Sequence, residues 1–297
     1  MEDFAYDEEV EGVNIRFFNK GKTMYVNLKN IDQCIYVSDK YQIYDFTLDS
    51  YKGFDGADIN FLKRFKHVQC LQLRSDTIQD ISFIYQLEGI EQIGISIVGK
   101  IEKLDLLKLP TLKRLYCASR YIKNLTTCTK LESLGMGFLK KYPLYSLEEL
   151  TALVNLKDLS FGGSQIQSLK GIEAFNKLTY LNVSQNRQLT DITDLVSLKD
   201  TLEELEFEKN KLIKSYEPIG SLKKLKDLRL SDCGQIASLG FVRDMPALVA
   251  ISFVDSNILD GDLSVLLDKR FEHVGFMDKR HYNLKSDYVE AYIKSQV

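Results

Sequence analysis

Residues 178–186 read Leu-Thr-Tyr-Leu-Asn-Val-Ser-Gln-Asn, residues 202–210 read Leu-Glu-Glu-Leu-Glu-Phe-Glu-Lys-Asn, and residues 225–233 read Leu-Lys-Asp-Leu-Arg-Leu-Ser-Asp-Cys. In each stretch the first, fourth and sixth positions are apolar. The same spacing recurs at Val68, Leu71 and Leu73, and at Leu156, Leu159 and Phe161. Alternation of apolar and polar residues makes a short strand with one face turned inward and the other outward. One such strand cannot bury its own apolar edge, so it needs a copy stacked on either side.

The copies exist. The first residue of each apolar pair falls at Phe46, Leu71, Ile93, Leu115, Leu134, Leu159, Leu181, Leu205, Leu228, Ile251 and Val274, in steps of 25, 22, 22, 19, 25, 22, 24, 23, 23 and 23 residues. The mean step is about 23, inside the range of roughly 20 to 29 that stacked strand-and-turn repeats occupy. Three residues after each pair stand Asp76, Ser164, Asn186, Asn210, Cys233 and Ser256. A chain leaving a strand has backbone groups without strand partners, and a side chain able to donate and accept can satisfy them. Val98, Arg120 and Leu139 occupy that slot in the third to fifth copies, beside the irregular 19-then-25 spacing.

This pattern resembles the leucine-rich repeat. The phrases Ile-Gln-Asp-Ile at 78–81 and Leu-Thr-Asp-Ile at 189–192 resemble its short-repeat, internalin-like class, which is bacterial. The resemblance implies an α/β solenoid, a horseshoe with about eleven parallel strands on its concave face and a convex side of 3₁₀, extended or short helical segments, such as one over 144–154. At about 4.8 Å per strand the sheet measures roughly 48 Å along its stacking direction. The expected organisation is an acidic N-terminus with a β-hairpin cap over 1–42, repeats over 43–280 and a C-terminal cap over 281–297. The hairpin rests on alternation at Val13, Ile15 and Phe17 and at Met24, Val26 and Leu28, with Ile35 and Val37 as a third strand. The C-terminal cap is a short amphipathic helix carrying Tyr288, Val289, Tyr292 and Ile293, with Ser286 at its N-cap.

Composition is that of an ordinary water-soluble chain, 44% apolar and 27% charged with net charge −3, and a basic stripe for nucleic acid is absent. No apolar run is long enough to span a membrane. Six acids among the first dozen residues are opposite to the basic start of a secretory signal, so a cytoplasmic monomer is expected, secreted only if a signal peptide once preceded it. Five scattered cysteines form neither a disulfide framework nor a zinc motif.

Catalysis needs converging acids, bases or nucleophiles. His67, His273 and His281 are the only histidines, and none lies at ligand spacing from another or from a cysteine. The glycines at 135, 137, 162 and 163 lack a phosphate-loop lysine. Neither a metal nor a cofactor is expected, and the chain reads as no enzyme.

Function then falls to residues between the leucines. Arg74, Tyr116, Phe138, Tyr180, Glu204, Glu206, Glu208 and Arg229 are the candidates, with the aromatics bordering a glycine-lined stretch. Stacking sets Lys226 beside Glu203 and Arg229 beside Glu206, where opposite charges support one another. Glu204 and Glu208 are left for a partner. The expected function is a protein-binding scaffold using the concave face, as a bacterial regulator or toxin-neutralising immunity-type protein. The alternative is a secreted internalin-like adhesin or virulence factor. An enzyme with a site in the caps is the remote third.

Overall fold

Each apolar pair turns inward and its backbone pairs with the next copy. The computed structural model describes residues 5–19, 21–138 and 143–296. It divides into two units, Met1–Leu131 and Glu132–Val297.

In the first unit, strands β1 (Tyr6–Val10), β2 (Val13–Phe18) and β3 (Gly21–Tyr25) pair antiparallel in sequence. Helix α1 (Ile31–Tyr41) follows, with Cys34 and Val37 buried. Ile35 and Val37 are therefore helical and form no third strand. An amphipathic spacing, with Cys34, Val37 and Ser38 on the buried side, prevails over the local alternation. Strands β4 (Asp45–Asp49), β5 (Cys70–Ser75), β6 (Gln92–Ile97) and β7 (Arg114–Ala118) then run parallel to β3. Register aligns Phe46, Leu71, Ile93 and Leu115, all fully buried.

The second unit repeats the plan more regularly. Its strands are β8 (Ser133–Gly137), β9 (Asp158–Gly162), β10 (Tyr180–Ser184), β11 (Glu204–Glu208), β12 (Asp227–Ser231), β13 (Ala250–Ser252) and β14 (His273–Gly275), all parallel. Leu134, Leu159, Leu181, Leu205, Leu228, Ile251 and Val274 align across them. Phe161, Val183, Phe207 and Leu230 make the second buried row. Helix α2 (Ser286–Ser295) buries Val289. Lys285, not Ser286, is its N-cap residue, and it makes no side-chain cap bond.

Between strands the chain forms short 3₁₀ turns, including Leu147–Leu150 inside the 144–154 segment, where Ser146 and Glu149 form a capping box. A repeated device starts these turns. Asp80 accepts the Ser82 N–H at 2.7 Å, Asp191 that of Thr193 at 2.9 Å and Asp262 that of Ser264 at 2.9 Å. Those bonds, with the hydroxyls of the same residues, hold all three carboxyls below their ordinary range. The aspartates of the 78–81 and 189–192 phrases are thus turn acceptors.

The small polar positions after the strands form a buried ladder in the second unit. Asn186 Oδ1 accepts the Ser164 N–H at 2.9 Å, and Asn210 Oδ1 accepts the Asn186 N–H at 3.0 Å. Asn210 also donates to the Val183 carbonyl at 2.6 Å. Ser256 accepts the Cys233 N–H at 2.9 Å and donates to the Leu230 carbonyl at 2.6 Å. In the first unit the second coil departs by one residue. Asp76 is exposed, and the buried Ser75 accepts the N–H groups of Thr77 and Ile78 instead. Leu139 lies outside the described residues.

Candidate binding surface on the sheet

Residues alternating with the buried leucines point outward, so parallel register sets them in rows. In the second unit one row is Ser160, Asn182, Glu206 and Arg229. Asn182 donates to Glu206 Oε2 at 2.8 Å, and the Tyr180 hydroxyl approaches the same oxygen at 3.5 Å. Burial pushes the Tyr180 phenol up, the neighbouring carboxylates of Glu206 and Glu204 add to this, and Asn182 and Arg229 oppose it. Arg229 stands opposite Glu206 in register, but its guanidinium bonds Asp227 Oδ2 at 2.8 Å. That hydrogen bond is the main reason its pKa rises. The expected Glu206–Arg229 pairing is therefore replaced by a pair within one strand, two residues apart on the same face.

Glu208 also departs from expectation, because Lys209 pairs with it at 2.7 Å. Glu204 is exposed, and among the described residues its carboxylate makes no hydrogen bond or salt bridge, acting on Arg229 and Tyr180 through charge alone. Tyr180, Glu204, Glu206, Asp227 and Arg229 surround a depression of about 10 Å³. Metabolite pockets hold roughly 300 Å³ or more. The depression is far smaller than that. Lys226 pairs with Glu203 at 2.6 Å, as stacking sets them, and Lys157 pairs with Glu132 at 2.8 Å, so these charges of the row beside it neutralise one another.

Phe138 is half-buried just past β8, its N–H donated to the Gly162 carbonyl at 2.8 Å. Tyr116 belongs to the first unit, on the outward side of β7 and 39% exposed.

Arg74, also in the first unit, lines a depression of about 320 Å³ with Arg16, Phe18, Tyr25, Asp45 and Gln72. Arg74 is exposed and has no acidic partner among the described residues. Arg16 reaches the Tyr25 hydroxyl at 3.5 Å and Asp7 at 3.8 Å. Burial raises the Asp45 carboxyl, partly countered by Arg114. Gly94 leaves room for Gln72, whose side-chain amide lies where a Cβ at 94 would fall. Sequence reasoning found Arg74 and missed Arg16, Phe18, Tyr25 and Asp45. The hairpin alternation held the signal for Arg16, since Ile15 faces inward and its neighbour must face out.

His67 packs edge-on against Tyr44 at 5.4 Å, and His281 bonds the Ile258 carbonyl at 2.8 Å. Among the described residues no group of three or more His, Cys, Asp or Glu could hold a metal, and no helix is long and apolar enough to cross a membrane.

Parallel strands in register, linked by 3₁₀ turns and a polar ladder, define a repeat solenoid. Residues 154–197 match the family model for leucine-rich repeats, in two copies. Two solved structures are similar. A leucine-rich-repeat protein of Leptospira interrogans matches with TM-score 0.57 and 22% identity over 78% of this chain and 59% of that one. An internalin, InlF, of Listeria monocytogenes matches with TM-score 0.53 and 21% identity over 76% of this chain and 66% of that one. The matched region spans less than two thirds of either protein, and at these identities the likeness is one of fold. No curated protein matches by sequence. Residues 154–197 thus carry leucine-rich repeats, and the chain has the leucine-rich-repeat fold, with an internalin among the structures it is similar to.

Proposed function

We propose that this chain is a non-catalytic, monomeric scaffold that binds another protein on the outward face of its repeat sheet. One observation carries the reading: Tyr180, Glu204, Glu206 and Arg229 stand together in register around a depression of only about 10 Å³, a shallow relief that suits a protein surface better than an enclosed metabolite. Tyrosine and arginine are the side chains that most often dominate protein interfaces. Leucine-rich repeats share an architecture for binding and no common reaction, which agrees with this role.

Within that role the reading favoured is a cytoplasmic bacterial regulator or an immunity-type protein that neutralises a toxin. Adjacent toxin or secretion genes support it, and their absence counts against it. A secreted adhesin is the second reading, favoured by the structural likeness to an internalin. Fractionation of the source cells separates the two.

Affinity capture followed by mass spectrometry tests the scaffold itself. The full chain should retain a partner that the Tyr180→Ala, Glu206→Lys double variant loses by tenfold or more, as expected on removing about 1.4 kcal/mol of binding. Failure to capture any partner, or equal capture by the variant, overturns the sheet-face reading.

A further inference from the structure

In the second unit the residue after each strand from β9 to β12 adopts a left-handed backbone: Gly163 at φ 71°, Gln185 at 54°, Lys209 at 56° and Asp232 at 49°. At 163 only glycine fits, because a Cβ there would come 2.7 Å from the Phe138 carbonyl oxygen. Glycine would relax the backbone at 185 and 209 as well, since glutamine and lysine rarely adopt this conformation. The chain instead keeps long polar side chains there. They line a groove of about 400 Å³ with Arg187, Lys211, Leu212 and Asp232, off the outward sheet face.

The groove's charge and exposed leucine are what point to a ligand. Three cations line it against the single carboxylate of Asp232, in a chain whose net charge is −3. Lys209 is held by Glu208 and Lys211 by Asp232, both at 2.7 Å. Arg187 is exposed and has no acidic partner among the described residues. Leu212, 55% exposed, supplies an apolar surface to the same groove. A guanidinium free to form a bidentate pair, next to an uncovered leucine, complements a carboxylate followed by an aliphatic side chain. Asp232 and Glu208 would repel an approaching acid only after giving up their lysines, and each salt bridge fixes its ammonium at the rim.

We propose that this groove binds an acidic, leucine-containing segment of a partner protein, its carboxylate on Arg187 and its aliphatic side chain on Leu212. The site is separate from the sheet-face patch and stands whether or not that patch binds a partner.

Fluorescence polarisation of the full chain with a labelled Gly-Asp-Glu-Leu-Asp-Gly peptide tests this, beside a Leu-to-Ser peptide and a lysine-for-acid peptide. The acidic leucine peptide should bind. Reversing one charge of a close pair should weaken it at least tenfold in Arg187→Glu, Leu212→Ser should weaken it by about threefold or more, and 0.5 M salt should weaken all binding. Arg187 and Leu212 are exposed, and circular dichroism of the variants checks that they fold. The Tyr180→Ala, Glu206→Lys variant should bind this peptide as the wild type does. The groove assignment is overturned by any of four results: no binding of the acidic peptide, equal binding by Arg187→Glu, equal binding of the serine peptide, or loss of binding in the sheet-face variant. Partner capture by that last variant reports separately on the sheet face.

Discussion

The two units solve one problem in different ways. In the second, a coil's turn amide is satisfied by a buried Asn or Ser of the following coil, as Asn186 does for Ser164, Asn210 for Asn186 and Ser256 for Cys233. In the first, Ser75 accepts two N–H groups of its own turn and also takes a hydrogen bond from the Ser50 hydroxyl of the preceding coil, and further along the Tyr121 hydroxyl and the Arg120 guanidinium both reach back to the Ile97 carbonyl. A ladder that passes between coils ties each repeat's geometry to its neighbour's and keeps the spacing even. The first unit's links between coils use a different group each time, a serine hydroxyl, a phenol or a guanidinium, which agrees with its less uniform turns.

That contrast can be broken most sharply at Asn210. Its amide serves both the Asn186 N–H and the Val183 carbonyl in a site with no exposure. Asn210→Ala leaves two buried backbone groups unpaired and should cost about 2–6 kcal/mol in urea unfolding, at about 1–3 kcal/mol per orphaned group. If Asn210→Ala costs no more than a surface change, the ladder does not bear on stability and the contrast fails.

A smaller loss is expected at Ser75→Ala. The hydroxyl accepts two local N–H groups close to solvent-reachable turn atoms, so about 1–2 kcal/mol should be lost. Equal losses at Ser75 and Asn210 would remove the distinction between a serine that caps its own turn and an asparagine that serves the neighbouring coil.

Acid should probe a feature both units share. Asp80 and Asp191 have carboxyls lowered by bonds from Ser82 and Thr193. A lowered folded-state pKa adds stability above the unfolded carboxylate value near 4 and loses it as pH falls through the folded value. Asp191→Ala should therefore reduce stability at neutral pH and flatten its dependence below about pH 4. Denaturation midpoints at pH 7 and pH 3 check this, and an unchanged acid slope would show that the turn bond carries no linkage.

Asp76→Ala should be smallest, within about 0.5 kcal/mol, because its side chain is exposed. A large loss there would return the ladder position to 76.

The period and the inward residues were legible because burial of one strand face is a strong, repeated constraint. Every aligned leucine from Leu134 to Leu228 is buried where the spacing puts it. Side-chain pairing was less legible because it depends on local geometry that spacing does not encode. Lys209 turns to Glu208 from a left-handed residue, so the neighbour next in sequence wins over one in another coil. Arg229 pairs with Asp227, on the same face two residues back, although Glu206 on the neighbouring strand starts nearer, and Glu206 instead takes the Asn182 amide. The slip from Asp76 to Ser75 has the same origin, since either side chain could cap the turn and only the serine points inward. Arg16 and Asp45 escaped notice because their depression unites the hairpin with coils distant in sequence.

All five cysteines are buried and free. Burial raises the Cys70 and Cys117 thiols to about 12 and those of Cys128 and Cys233 to about 11. Since the thiolate is the reactive form, each is shielded from alkylation while its coil is closed. The chain thus carries its own reporters of local opening, Cys70, Cys117 and Cys128 in the first unit and Cys233 in the second. Their labelling rates should measure, coil by coil, the free energy of exposing each repeat.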